Sequence, residues 1–208
     1  DSYLQTFNRD SVSLIDTDGK GVERITEKGV VANGVEYEVD CIIFATGFEV
    51  GTGYTRRAGY NVIGREGVSL EEKWSDGMRT LHGIHMHGFP NLFIISNSQA
   101  GFTTNFPHAM DETAQHIGYI LDQCKQDGIR AVEATKDAED EWVEHIISVA
   151  RFGADFQEAC TPGYYNNEGQ PNPKSVQNGP YGKGSRPYFR ITKAWREEGS
   201  MAGLSQTK

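Results

Sequence analysis

No two of the three cysteines, Cys41, Cys124 and Cys160, stand close enough to form a CxxC pair. Neither a zinc site nor a disulfide framework is indicated, and a reducing cytoplasm is the default compartment. No apolar run is long enough to cross a bilayer. No secretory leader opens the chain, which starts DSYLQTFNRD without Met and reads as the middle of something longer. Excess positive charge is missing too. Twenty Lys and Arg face 29 Asp and Glu, a net charge of −9, which argues against nucleic acid or an anionic membrane as partner. The GxGxxG, P-loop and GxSxG fingerprints are all absent. GTGYTRRAG places glycines at Gly51 and Gly53, but no helical pattern follows to make it a nucleotide loop.

What remains is ample for a packed core. Hydrophobic residues make up 37% of 208 positions, with 10 Phe, 9 Tyr and 3 Trp, so the chain is not disordered. Its length fits one large domain or two small ones. The 24 glycines and a mean hydropathy of −0.55 point to many turns and long loops.

Residues 11–45 read as β. Val12 to Ile15 is expected as a short strand ending at Asp18-Gly19, and Val22, Arg24 and Thr26 alternate with Glu23, Ile25 and Glu27. GVVANGVEYEVD is a hairpin around Asn33-Gly34, a pair that supplies the two positive φ angles of a type I′ turn. Cys41-Ile42-Ile43-Phe44 follows as a strand buried on both faces. It stops at Ala45-Thr46-Gly47, where either Gly47 merely ends the strand or the small residues let a ligand approach the backbone. Residues 48–80 read as irregular. Leu81–Met86 and Leu92–Ile95 are expected as strands broken by the GFPN turn at Pro90. Apolar periodicity predicts helices over Phe106–Gln126, about Asp137–Phe152 and Tyr188–Glu198. Asn105 and Thr135 are candidate N-caps, Pro107 sits in a first turn, Asp111 and Glu112 lie near the positive end of the helix dipole, and Gly128 is a natural stop. Residues 161–187 hold five of the seven prolines and form a long loop, functional or mobile in a compact domain.

Two stretches carry chemistry. In HGIHMH, a strand would put His85 and His87 on one face and His82 on the other, with no carboxylate or Cys beside them, so strand-edge histidines outweigh a metal site. In SNSQAGFTTNFP, Ser96 to Pro107, a strand end meets a capped helix start. Free N–H groups and the positive end of a helix converge there, either as a plain connection or as a site for an anion or a carbonyl oxygen.

In order along the chain, NRDSVSLID, FATGF (Phe44 to Phe48), EEKWSDGMRTLHGI, GFPNLF, TTNFP and ATKDAEDEWVEHI resemble stretches of flavin-dependent Baeyer–Villiger monooxygenases of the cyclohexanone and phenylacetone monooxygenase type. ATG alone is weakly specific; the ordered set is strong, and it covers nearly the whole chain. The resemblance implies the α/β C-terminal part of a flavoprotein with two dinucleotide-binding domains: a β-meander, then a helix-rich segment and a long loop. Residues 1–46 would end the NADPH-binding domain, and 47–208 would form the C-terminal part of the FAD-binding domain with a helical tail and a lid.

The resemblance further implies FAD and NADPH as cofactors, and a ketone and O2 as substrates. The product would be an ester or lactone, with oxygen inserted next to the ketone carbonyl. Ala45, Thr46, Gly47, Thr104, Asn105, Phe106 and Pro107 would line the cofactors. Phe102, Phe106, Tyr164 and Tyr165 would touch substrate, and Thr161–Pro187 would be the lid. Where relatives carry a Trp against the nicotinamide cofactor, this chain has CTPGYYNNEG, with Asn166 and Asn167 beside the tyrosines. The missing glycine fingerprints place both diphosphate sites in another part of the enzyme, and the resemblance implies that the family's catalytic arginine lies upstream as well. The 208 residues alone are then expected to be inactive, with the N-terminal part of the same enzyme as partner and no nucleic acid or membrane. An N- or S-oxygenating flavin monooxygenase and a non-catalytic binding module are the rival readings.

Overall fold

In the computed structural model, residues 2–46, 54–151 and 173–208 are described. The chain divides into two compact units, Asp1–Glu49 and Val50–Lys208.

The first unit opens on a short helix, α1 (Tyr3–Thr6), and is built on a three-stranded antiparallel sheet in the order β1 (Arg24–Ile25), β2 (Gly29–Ala32), β3 (Val35–Glu38). Asn33 and Gly34, at φ 53° and 73°, make the expected tight turn, with Ala32 paired to Val35 and Gly29 to Glu38. Gly29 is required: a Cβ there would lie 1.9 Å from the Tyr37 carbonyl oxygen. Two expected strands are absent. Val12 to Ile15 is irregular and leads into a turn in which the Asp16 carboxylate accepts the Asp18 N–H at 2.8 Å. Cys41–Phe44 is not a strand either and is exposed, Ile43 by 84% and Phe44 by 72%. A strand with two apolar faces is stable only between neighbouring strands, and neither edge of this sheet takes it up. Among the described residues of the unit, the buried positions are Gly29, Val31 and Ala32.

The second unit packs three helices, α4 (Phe106–Asp127), α5 (Lys136–Ser148) and α7 (Ser185–Glu198), around one core that includes Ile120, Trp142, Ile146, Tyr188 and Trp195. Short helices α2 (Tyr54–Ala58) and α3 (Leu70–Lys73) precede it in the stretch expected to be irregular, and α6 (Pro173–Gln177) lies before α7. So the part of the expected loop from 173 onward is largely helical, whereas residues 161–172, and Tyr164, Tyr165, Asn166 and Asn167 with them, lie outside the described residues. Helix α4 ends where Gly128 turns left-handed at φ 67°. A two-stranded antiparallel sheet follows, β4 (Ala131–Ala134) with β5 (Leu204–Thr207), paired from Ala131↔Thr207 to Ala134↔Leu204. Helix α5 stops at Ser148, short of the expected Phe152. Gly182 packs on its end, so closely that a Cβ would lie 1.8 Å from the Val149 carbonyl oxygen.

The expected strands Leu81–Met86 and Leu92–Ile95 are a tight turn and an irregular stretch. His82 and Gly83 take φ 57° and 70°, the Ile84 N–H donates to the Leu81 carbonyl at 3.1 Å, and Leu81 bridges His85. His-Gly here performs the turn chemistry that Asn-Gly performs at residues 33–34. Gly83 fits because a Cβ would press to 2.8 Å from the Ala100 Cβ. The turn reverses the chain after one residue, which leaves no room for a six-residue strand.

Charged residues brace this unit. Glu139, 1% exposed, accepts Lys73 Nζ at 2.9 Å and the His87 N–H at 2.9 Å, with Arg79 Nε at 3.8 Å. Arg79 and Lys136 both pair with Asp140.

Candidate functional site

The start of α4 is displayed as the sequence suggested. Asn105 caps it, its side-chain oxygen accepting the His108 N–H at 3.3 Å, and Pro107 occupies the first turn. Thr103 Oγ1 accepts the Asn105 N–H at 3.3 Å and squares the turn from the other side. Pro107 has no N–H, and the Ala109 N–H bonds the Asn105 carbonyl. The Phe106 N–H is left as the first-turn donor without an acceptor among the described residues, at the positive end of a 22-residue helix. Thr104, Asn105 and Pro107 are exposed, and so are two large apolar side chains, Phe102 by 53% and Phe106 by 47%. One turn therefore combines an outward N–H, a dipole end and two apolar rings, a combination suited to a flat ligand with a polar edge.

No acidic residue lies in the first turn of α4. Asp111 and Glu112 fall one turn further on, where Asp111 accepts from Gln115 and Glu112 pairs with Arg196 at 3.7 Å. The dipole end is thus free of the carboxylates expected beside it. Of the other proposed cofactor residues, Ala45 and Thr46 are exposed and irregular in the first unit, and Gly47 lies outside the described residues.

The histidines behave differently from strand residues. His82 and His85 are both buried, and they meet His116 of α4, whose Nε2 lies 3.5 Å from His85 Nε2. His82 stands edge-on to Trp142, with ring centres 4.9 Å apart, and His116 lies 4.8 Å from Trp195. His87 points out, 3.2 Å from the Ala134 carbonyl oxygen. Burial holds His82 down to about 4. Burial, with His82 and Arg196 nearby, holds His116 to about 3. His85 is well below the ordinary value through burial and its two histidine neighbours. All three are neutral near pH 7. Among the described residues no group of three or more His, Cys, Asp or Glu could hold a metal, and no helix is long and apolar enough to cross a membrane. The sequence carries a signal for the cluster in the spacing of His116 with Ala109 and Ile120, which puts all three on the buried stripe of α4.

No family model matches the chain. Individual relatives do. It is 52% identical over 206 residues to pentalenolactone D synthase of Streptomyces arenae, covering 98% of this chain and 35% of that protein. It is 44% identical to the FAD-binding monooxygenase hmp7 of Hypomyces subiculosus over 100% of this chain and 34% of that one. It is 41% identical to the Baeyer–Villiger monooxygenase ATR8 of Stachybotrys chlorohalonatus over 99% of this chain and 33% of that one. Among solved structures, the polycyclic ketone monooxygenase of Thermothelomyces thermophila superposes with a TM-score of 0.82 at 35% identity, over 100% of this chain and 34% of that one. Cyclohexanone monooxygenase from Rhodococcus sp. Phi1, bound to NADP+, does so at 0.75 and 26%, over 100% and 38%. In sequence and fold the chain is similar to Baeyer–Villiger monooxygenases, and it spans about a third of the length of the curated relatives it matches.

Proposed function

We propose, from this kinship, that the chain is part of an FAD- and NADPH-dependent monooxygenase that inserts one oxygen atom of O2 next to a ketone carbonyl to give an ester or lactone. The observation that carries the reading is the match to Baeyer–Villiger and FAD-binding monooxygenases over essentially the whole of this chain. Residues 1–46 are assigned to the end of the NADPH-binding domain and 47–208 to part of the FAD-binding domain, a reading supported by the division of the chain at Glu49–Val50.

The Thr104–Pro107 turn fits the polar edge of a flavin ring. It offers the Phe106 N–H and the helix dipole to a carbonyl oxygen, and it carries no carboxylate in its first turn to repel negative charge. When bound, the flavin supplies the electron transfer and oxygen chemistry. This chain's own contribution is to orient and to exclude water. The Asn105 cap fixes the turn, Phe102 and Phe106 present apolar faces to substrate, and the small Ala45 and Thr46 leave space for a cofactor. Tyr164, Tyr165 and Gly47 complete the proposed set; a lid is proposed over 161–172 only, because Gln177, Gly179 and Tyr181 are bonded into the second unit.

The test is Asn105→Ala in the full-length protein. Loss of the cap costs about 1 kcal/mol of stability in any case. If the turn faces the flavin, the flavin reduction potential falls and reduction by NADPH slows. A less stable protein with unchanged potential and reduction rate refutes the placement. A product assay with ketone, amine and sulfide separates this reaction from N- or S-oxygenation.

A further inference from the structure

Gln99 is fully buried, yet its backbone is left-handed at φ 56°, a conformation uncommon for a side chain of this kind. Five hydrogen bonds hold it there. Its Oε1 accepts Thr80 Oγ1 at 2.5 Å, and its Nε2 donates to the carbonyls of Met78 at 2.6 Å and Gln177 at 3.1 Å. Its N–H donates to the Gly179 carbonyl at 2.8 Å, and its own carbonyl accepts Trp142 Nε1 at 3.2 Å. One residue thus ties together the stretch before the His82-Gly83 turn, the end of α6 with the residues just after it, and α5.

The two residues that follow are equally fixed. The Ala100 carbonyl accepts the Tyr181 N–H at 2.9 Å. At Gly101 a Cβ would lie 2.7 Å from the Tyr188 ring. From Phe102 the chain emerges to solvent. The boundary between what is locked and what is displayed falls between Gly101 and Phe102, and Gln99 is the most heavily bonded point behind it.

We infer that Gln99 is a positioning residue: its buried amide sets where the Phe102–Pro107 turn stands, and thereby the geometry of oxygen transfer. The inference rests on the reading that this turn faces the flavin. A plain packing role for Gln99 would lower stability without moving the turn. A positioning role moves the turn, and a misplacement of the order of 1 Å costs catalysis heavily.

Two variants of the full-length holoenzyme separate these. Gln99→Met keeps length and volume but deletes the amide, and Gln99→Gly keeps the left-handed backbone and deletes the side chain. Ile146→Val, a core trim away from the turn, is the control for lost stability. Amide exchange at Asn105, His108 and Ala109, whose N–H groups are bonded in this turn, is expected to rise about tenfold or more in both Gln99 variants, with Ala131–Ala134 unchanged. Ketone turnover is expected to fall about tenfold with KM within about threefold. More of the NADPH electrons should then reduce O2 to hydrogen peroxide instead of supporting insertion. Unchanged exchange at Asn105, His108 and Ala109, or exchange raised equally there by Ile146→Val, overturns the positioning role. Raised exchange with turnover and coupling intact overturns the placement of the turn at the chemistry, and the inference falls with it.

Discussion

Acid should loosen the second unit through its histidines. His82 and His116 are buried with folded values of about 4 and about 3, against 6.5 in the unfolded chain. The unfolded state therefore binds more protons than the folded one as soon as pH drops below about 6.5, and stability falls as pH falls. The loss continues until the folded-state values are reached. At pH 5 each histidine accounts for about 2 kcal/mol relative to pH 8, and the pair for about 4 kcal/mol. His85 acts in the same direction. For a domain of ordinary stability, about 5–15 kcal/mol, that is a large fraction. Arg196 adds positive charge beside His116, and its carboxylate partner Glu112 is already engaged. Urea denaturation from pH 8 to pH 5, followed by tryptophan fluorescence, measures the loss; Trp142 and Trp195 touch these rings and report on them directly. His116→Gln should remove about 2 kcal/mol of the change between the two pH values, whatever it does to stability at pH 8. Parallel pH curves for His116→Gln and the unaltered protein would refute the reasoning.

Glu139→Ala strands Lys73 and frees the His87 N–H in a buried site, and calorimetry should find a loss of about 3–5 kcal/mol. Gly29→Ala drives a methyl group into the Tyr37 carbonyl, and a destabilisation of about 1–3 kcal/mol confined to the first unit is expected by amide exchange. Gly83→Ala should cost a similar amount in the second unit, both for the left-handed backbone and for the contact with Ala100. The purified 208-residue chain should be colourless, since no GxGxxG loop is present to bind a cofactor diphosphate; stoichiometric yellow flavin in the preparation would contradict this.

Local chemistry was the legible part of the sequence. Asn33-Gly34, the Asn105 and Thr135 caps and the Gly128 stop each act within a few residues, and each appears where its chemistry puts it. Ser69, three residues before Glu72, was an equally readable cap for α3, bonding the Glu72 N–H at 3.1 Å, and the irregular look of 48–80 hid it. What failed was inference of strands from apolar runs. Cys41–Phe44 needs neighbours that the described residues do not provide, and Leu81–Met86 is governed by a His-Gly turn rather than by its hydrophobicity. Strand β5 was invisible because Leu204–Thr207 carries a single buried residue and owes its form to pairing with β4. The candidate site was legible as a turn and a cap. Its anchor was not, because nothing adjacent to Gln99 in sequence announces partners at Thr80, Gln177 and Gly179.

The contact of Gly182 with the end of α5 has a consequence for engineering. Chain that departs beyond Val149 is brought back to the same spot, and the returning side is held by bonds of Gln177, Gly179 and Tyr181 to Met78, Gln99 and Ala100. Sequence from a related monooxygenase grafted ahead of this return would therefore have to leave Gln177–Gly182 native, with Gly182 retained as the closing contact on α5.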